Sequence, residues 1–391
     1  MTTLNGLGCD PTLVIEPRTY WLKIILIGLC VAVTGVTLSV GLWPFSFHAE
    51  NQVSWRPEQA GLYFGSHGML ISGGRFSEIP TEGVDCSIEL WLEPALTYHS
   101  GTILSFYDLK STGRMQLRQS GEDLAYIGTL RPENNQSKQQ IIYLDNAFQK
   151  GGKTLITLTS SKDGLEIYSN GVLKKIVRNT QIRGANLAGT LIVANSPYGN
   201  LSWTGTFRGL AIYDRALRPE EINQDFGIWQ RNRELMRQKA AEPYLLYLFN
   251  EQGGETLHNL GQRGPDLVIP KNYFILQPGF LVPFWREYRP GWNYAKDLAI
   301  NVFGLVPLGF CFAALFSWLI GRNRSLLYAT LLGFCVSLTI EILQAFMPTR
   351  YSGTTDLITK TSGTALGGWF YLNTYSQVWL KRLGFVRAEK G

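Results

Sequence analysis

The sequence predicts a multi-domain membrane protein in which an all-α bundle of four transmembrane helices is interrupted by an all-β antiparallel sandwich. Two observations lead to this fold class. Long apolar runs occur near both ends of the 391-residue chain, whereas the stretch from about Phe47 to Tyr288 is polar, glycine-rich and full of turns. Short basic segments flank the apolar runs. The ends therefore belong in lipid and the middle in water, although the mean hydropathy of the whole chain is near zero.

The first apolar run, Leu22–Trp43, predicts a helix that crosses the membrane. About 20 apolar residues span a hydrocarbon core, and this run carries only Lys23 near its start. A cleaved signal peptide would have a shorter apolar region followed by small residues. Here the aromatic sequence Trp43-Pro44-Phe45 follows. We therefore expect a retained helix, preceded by a cytoplasmic tail at residues 1–21.

Three further spans are predicted near the C-terminus, at about residues 298–320, 326–347 and 357–380, of which the last is the least apolar. Basic residues flank the first span, separate the second from the third at Arg322 and Arg324, and follow the fourth. Because short basic loops stay in the cytoplasm, four crossings leave both termini cytoplasmic and the middle segment outside. These flanks account for much of the net charge of +6. We expect the lipid bilayer, and no nucleic acid, as a partner.

The middle segment, about residues 50–270, predicts short antiparallel strands. Runs of Ile, Leu, Val and aromatic residues alternate with Gly, Asn, Asp and Ser turns, which is typical of a sandwich or barrel. Asn170-Gly171 predicts a two-residue hairpin, because both central residues of a type I′ turn need positive φ. Cys86 is the only cysteine of this segment, so a disulfide within it is excluded. No zinc-binding motif occurs.

Alternation in residues 86–94 assigns side chains to two faces of one strand. Ile88, Leu90 and Leu92 would point one way, and Glu89, Trp91 and Glu93 the other. The strand therefore predicts one buried sheet face and one that is partly aromatic.

Polar side chains recur at helical spacing in the C-terminal spans. Three pairs are three or four residues apart and so would lie on one face of a helix: Asp297 with Asn301, Glu341 with Gln344, and Asp356 with Lys360. Arg350 lies between the last two pairs in the sequence. Ionisable groups at membrane depth cost free energy and are functional-site candidates by default. We predict a polar pocket that opens outward. The alternative is that these groups only hold the bundle together, with Glu341 paired to Lys360 or Arg350.

Three runs of the middle segment, CSIELWLEP at 86–94, GLEIYSNGV at 164–172 and WTGTFRGLAIYDRALRPEEI at 203–222, resemble the laminin-G/concanavalin A-like jelly-roll family. The strand that usually opens such domains occurs here at the end, as Tyr247–Gly254. We expect that strand to complete the sandwich by circular permutation. The alternative is the start of a second, truncated copy.

This resemblance implies glycan binding, often with calcium as a cofactor. Calcium oxygens would come from Asp108, Asn195, Asn250 and Glu251; the alternative is that these residues only form turns. Sugar rings would stack on Trp91, Tyr198 and Trp203; the alternative is that these rings pack within the sandwich. The family's hydrolases use a Glu-x-Asp-x-x-Glu strand that is not found here, so we expect no glycan cleavage.

The segments 297–310 (DLAINVFGLVPLGF) and 337–350 (SLTIEILQAFMPTR), followed by Asp356 with Gly363 and Gly367, resemble the VanZ-like family of membrane proteins. That family's first helix ends in Leu-x-Pro-Phe, which Leu42–Phe45 matches. The resemblance covers about residues 20–47 and 280–385, so the jelly roll would be inserted in the first outer loop. The family usually has Asn where Lys360 stands.

Together the resemblances imply a protein of the bacterial plasma membrane that binds glycan or a lipid-linked envelope precursor. Arg350 and Lys360 would pair its phosphate or carboxylate, and Glu341 or Asp356 would accept sugar hydroxyls. The implied role is accessory, in exopolysaccharide or cell-wall processes or in the teicoplanin resistance associated with VanZ-like proteins. Two alternatives stay open: a membrane enzyme acting on an undecaprenyl-linked substrate, with Glu341 or Asp356 as acid or base, and a structural tether for surface polysaccharide.

Overall fold

The computed structural model describes residues 17–56, 58, 60–76, 85–108, 115–130, 138–199, 201–231, 234–239, 242–288 and 291–373. The chain divides into two compact units. The helical unit contains the residues up to Phe45, then Gly279–Phe346 and the residues from Tyr351 onward. The sandwich unit contains Ser46–Pro278 and Met347–Arg350.

The helices are α1 (Pro17–Leu42), α2 (Pro219–Arg231), α3 (Glu234–Gln238), α4 (Phe284–Glu287), α5 (Trp292–Leu319), α6 (Arg322–Ala345) and α7 (Thr354–Leu372). The strands are β1 (Val53–Trp55), β2 (Leu62–Phe64), β3 (Leu70–Ser72), β4 (Cys86–Pro94), β5 (Ser100–Tyr107), β6 (Met115–Ser120), β7 (Asp123–Leu130), β8 (Lys138–Leu144), β9 (Thr154–Ser161), β10 (Gly164–Ser169), β11 (Val172–Val177), β12 (Thr190–Val193), β13 (Gly205–Tyr213), β14 (Leu245–Tyr247), β15 (Thr256–Leu257) and β16 (Leu267–Val268).

Among the residues that the structure describes, three helices are long and apolar enough to cross a membrane: Lys23–Leu42 in α1, Tyr294–Leu319 in α5 and Arg322–Ala345 in α6. Helix α7 covers part of the predicted fourth span, but its 19 residues do not qualify on the same criteria. Residues 374–380 of that predicted span lie outside the described residues. The apolar helices make this a membrane-associated protein, with three of the four predicted spans supported by length and composition.

The helical unit packs its buried side chains between α1, α5, α6 and α7, and these include Cys30, Leu308, Ala313, Ala329 and Tyr371. Between α5 and α6 the chain reverses at Gly321, whose φ of 90° lies in the left-handed region that favours glycine. Two backbone hydrogen bonds join Val282, just before α4, to the start of α7. The Val282 amide donates to the Ser352 carbonyl, and the Thr354 amide donates to the Val282 carbonyl.

The sandwich unit consists of two eight-stranded antiparallel sheets. The first has the strand order β1-β2-β13-β4-β9-β10-β11, with β14 also paired to β13, and the second has the order β15-β16-β3-β12-β5-β6-β7-β8. Asn170 (φ 53°) and Gly171 (φ 77°) both have positive φ between β10 and β11. The predicted two-residue hairpin is therefore confirmed, with Ser169 paired to Val172.

Strand β4 is buried on both faces. Ile88, Leu90 and Leu92 point into the core between the sheets, as predicted. On the opposite face Trp91 belongs to a second buried cluster, in which α2 and α3 contribute Ile222, Trp229 and Met236. The prediction left this second face partly aromatic, and the structure shows that it is covered by helices that follow β13 in the chain.

The C-terminal part of the sandwich returns to both sheets. Strand β14 pairs with β13, with Leu210 opposite Tyr247, and β16 pairs with β3. The expectation that the Tyr247 segment joins the sandwich is confirmed. The segment 49–51 pairs with 271–273, because the Asn51 amide donates to the Lys271 carbonyl and the Tyr273 amide donates to the Ala49 carbonyl. The chain thus enters and leaves the sandwich side by side.

Candidate functional site

The polar residues of the helical unit form a buried ion pair between α6 and α7. Glu341 is fully buried and Lys360 is 5% exposed. The Lys360 Nζ donates to Glu341 Oε1 at 2.6 Å, and the Gly353 amide donates to Glu341 Oε2 at 2.9 Å. Both carboxylate oxygens are therefore engaged, which satisfies a charge that would be costly to leave unpaired in the bundle.

A second carboxylate borders this pair. The side-chain amide nitrogen of Asn301 donates to Asp356 Oδ1 at 2.8 Å, and Asp356 Oδ2 lies 3.9 Å from the Lys360 Nζ. The Asp356 side chain is 37% exposed. This cluster of Asn301, Glu341, Asp356 and Lys360 contains more acidic than basic groups, so it suits hydroxyls or a cation better than a second anion.

The other predicted residues have their own surroundings. Asp297 is exposed at the start of α5. The Gln344 side chain donates to the Gly41 carbonyl at 2.8 Å, which links α6 to α1. Arg350 belongs to the segment Met347–Arg350, which is grouped with the sandwich unit. Glu341 contacts Lys360, one of the two partners considered for it.

Glycines allow α7 to lie directly against α5. A Cβ added at Gly363 would overlap the carbonyl oxygen of Val302, and one added at Gly367 would overlap that of Val306. Gly309 on α5 has the same relation to Thr364 on α7. This close approach, which the small residues predict, leaves no room for side chains between the two helices and fixes the position of Lys360.

Glu287 is a residue that the sequence did not point to. Its Oε2 accepts the Thr355 amide at 2.9 Å and the Thr355 hydroxyl at 2.5 Å. A carboxylate at a helix N-terminus is favourable because the first amides lack partners within the helix. No local motif marks Glu287, since it lies in a different part of the chain from the helix that it caps.

Two of the three aromatic residues proposed for sugar stacking are core residues. Trp203 is 1% exposed, and its indole Nε1 donates to Gln119 Oε1 at 2.6 Å. Trp91 is 6% exposed in the cluster beneath α2. The prediction of Trp203 as a stacking platform is corrected, because its ring is enclosed in the core; Trp91 keeps only a 6% exposed margin, which lines a cavity beside α2. Tyr198 is 38% exposed and packs edge-on against Tyr107.

The four residues proposed for calcium do not form one ligand set. Asp108 follows β5 and Asn195 follows β12, and the register of these strands places them at opposite ends, roughly 20 Å apart. Asp108 is ion-paired with Arg75. Asn195 accepts a hydrogen bond from the Tyr273 hydroxyl at 3.3 Å. Glu251 accepts hydrogen bonds from backbone amides. Among the described residues there is no group of three or more acidic, His or Cys side chains arranged to hold a metal ion.

A polar cavity of about 980 Å³ lies in the sandwich unit. We call it the Tyr273 cavity, and its lining includes Gln52, Tyr63, Ser66, His67, His99 and Tyr273. The described residues that line it carry hydroxyl, amide and imidazole groups with one carboxylate, Glu50, and no Lys or Arg. Burial lowers the pKa of His67, which favours its neutral imidazole. These residues come from separate stretches without a shared motif, so the sequence did not identify them.

A smaller cavity of about 600 Å³ lies where α2 covers the first sheet. We call it the Arg208 cavity, and its lining includes Trp91, Lys153, Asn170, Arg208, Phe226 and Arg231. Arg208 is 4% exposed and is held by Glu93, which accepts from Nη2 at 2.6 Å and from Nε at 3.1 Å.

A buried acidic network lies under α2 as well. Glu89 Oε2 accepts from the Trp229 indole at 2.9 Å and from the Tyr213 hydroxyl at 3.5 Å. Asp225 accepts from the same hydroxyl at 3.3 Å and pairs with Lys239 at 2.5 Å. Desolvation raises the pKa of Glu89 to about 8, with a further rise from the nearby Asp225 charge. Desolvation also raises the pKa of Asp225.

Two family models each match a part of the chain. The family model described as VanZ/LLP1 matches residues 243–378, and that described as concanavalin A-like lectin/glucanases superfamily matches residues 72–223. No curated protein matches the chain.

Several solved structures share low similarity with the chain. The Ruminococcus gnavus IT-sialidase CBM40 bound to α2,3-sialyllactose is 11% identical, with 42% of this chain and 100% of that chain covered and a TM-score of 0.31. A heptameric SAP-like pentraxin from Limulus polyphemus is 18% identical, with 40% and 80% covered and a TM-score of 0.28. The Botulinum neurotoxin serotype D binding domain is 16% identical, with 51% and 49% covered and a TM-score of 0.33, so the chain spans about half the length of that relative.

The fold assignment therefore depends on the two family matches and on the observed sheets and helices. The match at residues 243–378 begins within the strands β14–β16 and continues through α7. The protein combines a VanZ/LLP1 domain with a domain of the concanavalin A-like lectin/glucanases superfamily.

Proposed function

We propose that this protein is an integral membrane protein of the bacterial envelope whose sandwich binds a neutral glycan in the Tyr273 cavity. The observation that carries the proposal is the lining of that cavity, in which neutral hydrogen-bonding groups predominate. Its volume of about 980 Å³ lies at the upper end of the range of roughly 300–1,000 Å³ that is usual for ligand sites. A neutral oligosaccharide matches both the size and the chemistry of this lining.

Two features of the cavity favour a sugar over other neutral ligands. Sugar hydroxyls need directional donors and acceptors. Gln52 Oε1 accepts the Ser66 hydroxyl at 3.1 Å and the His67 backbone amide at 3.2 Å, so the groups that remain for a ligand are the Gln52 side-chain NH2 and the imidazoles of His67 and His99. Tyr63 adds a half-buried aromatic ring to the lining, whereas the Tyr273 ring is 2% exposed and forms part of the cavity wall. The Tyr273 hydroxyl is fixed by Ser202 at 3.0 Å and by Asn195 at 3.3 Å, so this ring is held in place before the ligand arrives.

Glycan binding is tested with the full chain in detergent micelles. An array of bacterial oligosaccharides would identify a neutral ligand, and calorimetry would measure its affinity for the wild type and for His99→Ala. Losing a hydrogen-bonding side chain of the cavity should weaken binding by about tenfold. His258→Ala removes another exposed histidine outside this lining and should leave the affinity unchanged. Equal effects of both substitutions, or no neutral ligand, would refute the proposal.

We also propose that the chain crosses the membrane four times, with α7 as the fourth span, both termini in the cytoplasm and the sandwich outside. The basic segments around Arg322 and after residue 380 support this topology. Accessibility labelling of a tag at the C-terminus and of another in the exposed turn at Lys162–Asp163 tests it. Labelling of both tags from the same side would contradict four crossings.

A second candidate role concerns the cluster of Asn301, Glu341, Asp356 and Lys360. We propose that Asp356, which is partly exposed, accepts hydroxyls of a lipid-linked envelope precursor. Glu341 then acts as a positioning residue for Lys360, because both of its oxygens are engaged. Asp356→Asn should abolish crosslinking to a photoreactive polyprenyl-linked sugar while the protein stays folded. Retained crosslinking would assign this cluster to packing.

The cellular role that we propose for these sites is accessory to exopolysaccharide or cell-wall processes, or to teicoplanin-type resistance. Deletion of the gene, followed by measurement of secreted polymer and teicoplanin susceptibility, distinguishes these roles. Complementation with Asp356→Asn and with a chain lacking the sandwich then shows which unit each phenotype needs. A phenotype that depends only on the sandwich would favour the tether alternative.

A further inference from the structure

The Arg208 cavity differs from the Tyr273 cavity in charge. Lys153, Arg208 and Arg231 line it together with one carboxylate, Glu234. Glu234 is paired with Arg237 at 3.5 Å, and Arg208 is paired with Glu93 at 2.6 Å. Even with these partners counted, positive charges outnumber negative ones around the cavity. A ligand with negative charge is favoured there, whereas the Tyr273 cavity contains no Lys or Arg among its described lining residues.

The positions of the cations assign them different tasks. Arg208 is 4% exposed and is held through two of its nitrogens by Glu93, with its Nη1 3.4 Å from the Ala60 carbonyl. It therefore forms a fixed part of the wall. Lys153 and Arg231 are exposed and form no ion pair within the described residues. Their charges are available to a carboxylate of a ligand.

The remaining lining supplies what a sugar needs. Four amide side chains line the cavity: Asn170, Gln230, Asn250 and Gln252. The Asn170 oxygen accepts the Leu155 backbone amide at 2.9 Å and the Asn250 side chain donates to Glu234, so the donors and acceptors offered to hydroxyls are chiefly those of Gln230 and Gln252. Phe226 contributes apolar ring surface, and Trp229, which is 2% exposed, forms part of the wall. Trp229 is fixed because its indole donates to Glu89 at 2.9 Å. Amides, ring surface and cations in a space of about 600 Å³ match one or a few sugar units with a negative group.

We propose that the Arg208 cavity is a second sugar site, which binds a carboxylate-bearing sugar of an acidic polysaccharide through Lys153 and Arg231. This inference rests on the proposed glycan binding and adds to it the acidic class of polymer. A sandwich with one site for neutral sugars and another for acidic sugars binds a polymer in which both kinds of sugar occur. Two weak sites on the same polymer then reinforce each other through effective concentration.

The test uses the full chain in detergent micelles and a pair of matched probes. One probe is a glucuronate-containing tetrasaccharide, and the other is the same tetrasaccharide with its carboxylates reduced to alcohols. Calorimetry should show that the wild type binds the acidic probe more tightly, and that added salt weakens this binding. The double variant Lys153→Ala/Arg231→Ala should lose about tenfold in affinity for the acidic probe, as expected for charge-assisted hydrogen bonds.

A charge-matched control separates a site from general attraction. Lys174→Ala/Arg178→Ala removes the same charges from exposed positions on and beside β11, outside this cavity. An equal loss of affinity for the acidic probe in both double variants would refute the proposed second sugar site. So would an acidic probe whose binding depends on His99. Neutral-glycan binding without acidic binding would overturn this inference alone, whereas loss of all glycan binding would overturn the proposed function with it.

Discussion

The buried carboxyl of Glu89 predicts that the packing of α2 on the first sheet weakens as the pH rises. Glu89 is fully buried between β4 and α2, where its neighbours are Tyr213, Asp225, Trp229 and Lys239. Its Oε2 accepts two hydrogen bonds, whereas Oε1 has no partner among the described residues. That oxygen is the place for a proton, which fits a pKa raised by desolvation to about 8.

The sign of the effect follows from the two states. Below about pH 4.5 the Glu89 carboxyl is protonated whether the chain is folded or unfolded. The stability that folding gains from burying this neutral carboxyl is then fully present. Between that value and about 8 the unfolded chain releases the proton while the folded chain keeps it. Stability therefore falls as the pH rises, until the contribution is lost above the folded-state pKa. Each pKa unit corresponds to about 1.4 kcal/mol, so the full span amounts to about 5 kcal/mol at most.

Glu89→Gln tests this reasoning, because glutamine resembles the protonated carboxyl. Hydrogen exchange of the α2 amides in the full chain, corrected for intrinsic rates, reports the opening of this helix at pH 6 and pH 9. Protection in the wild type should fall by about a hundredfold or more between these pH values. Protection in Glu89→Gln should change little. The control Glu122→Gln alters an exposed carboxylate and should behave as the wild type; a Glu89→Gln protein with the wild-type pH dependence would refute the reasoning.

Three further outcomes are expected. Glu341→Gln should lower the folded yield in detergent by leaving the Lys360 charge unpaired, at a cost of about 3–5 kcal/mol, and the double variant Glu341→Gln/Lys360→Met should recover much of it. Gly367→Ala should lower the thermal midpoint because its Cβ would overlap α5, whereas Gly304→Ala, with nothing within 4 Å, should leave that midpoint unchanged or raise it slightly. Trp203→Ala should destabilise the sandwich by about 3–5 kcal/mol in denaturant unfolding; a near-neutral result would contradict its core position.

The apolar runs and the alternating strands could be predicted because each depends on local periodicity. Helices α1, α5 and α6 appear where hydropathy indicates them, although α5 begins at Trp292, ahead of the predicted residue 298. Helix starts are set by capping and by neighbouring loops, which hydropathy does not report. The hairpin at Asn170-Gly171 was predictable because the turn itself requires those residues.

The partners of the polar residues were not predictable in the same way. Helical spacing places Glu341 and Lys360 on particular stripes, but their contact depends on how α6 and α7 are rotated and spaced. Trp91 and Trp203 have the sequence surroundings of exposed aromatics, yet one is covered by α2 and the other by the opposite sheet. The two cavities bring together stretches that are distant in sequence, so no single run contains their signature.

The pairing of Glu50 with Asn272 has a consequence for how such a chain can be assembled. Antiparallel partners lie only about 5 Å apart, so the more than two hundred residues of the sandwich begin and end side by side. The entropic penalty for closing a long loop is thereby avoided once the sandwich has folded. A genetic graft at this junction can therefore exchange the sandwich for another domain whose ends lie equally close together.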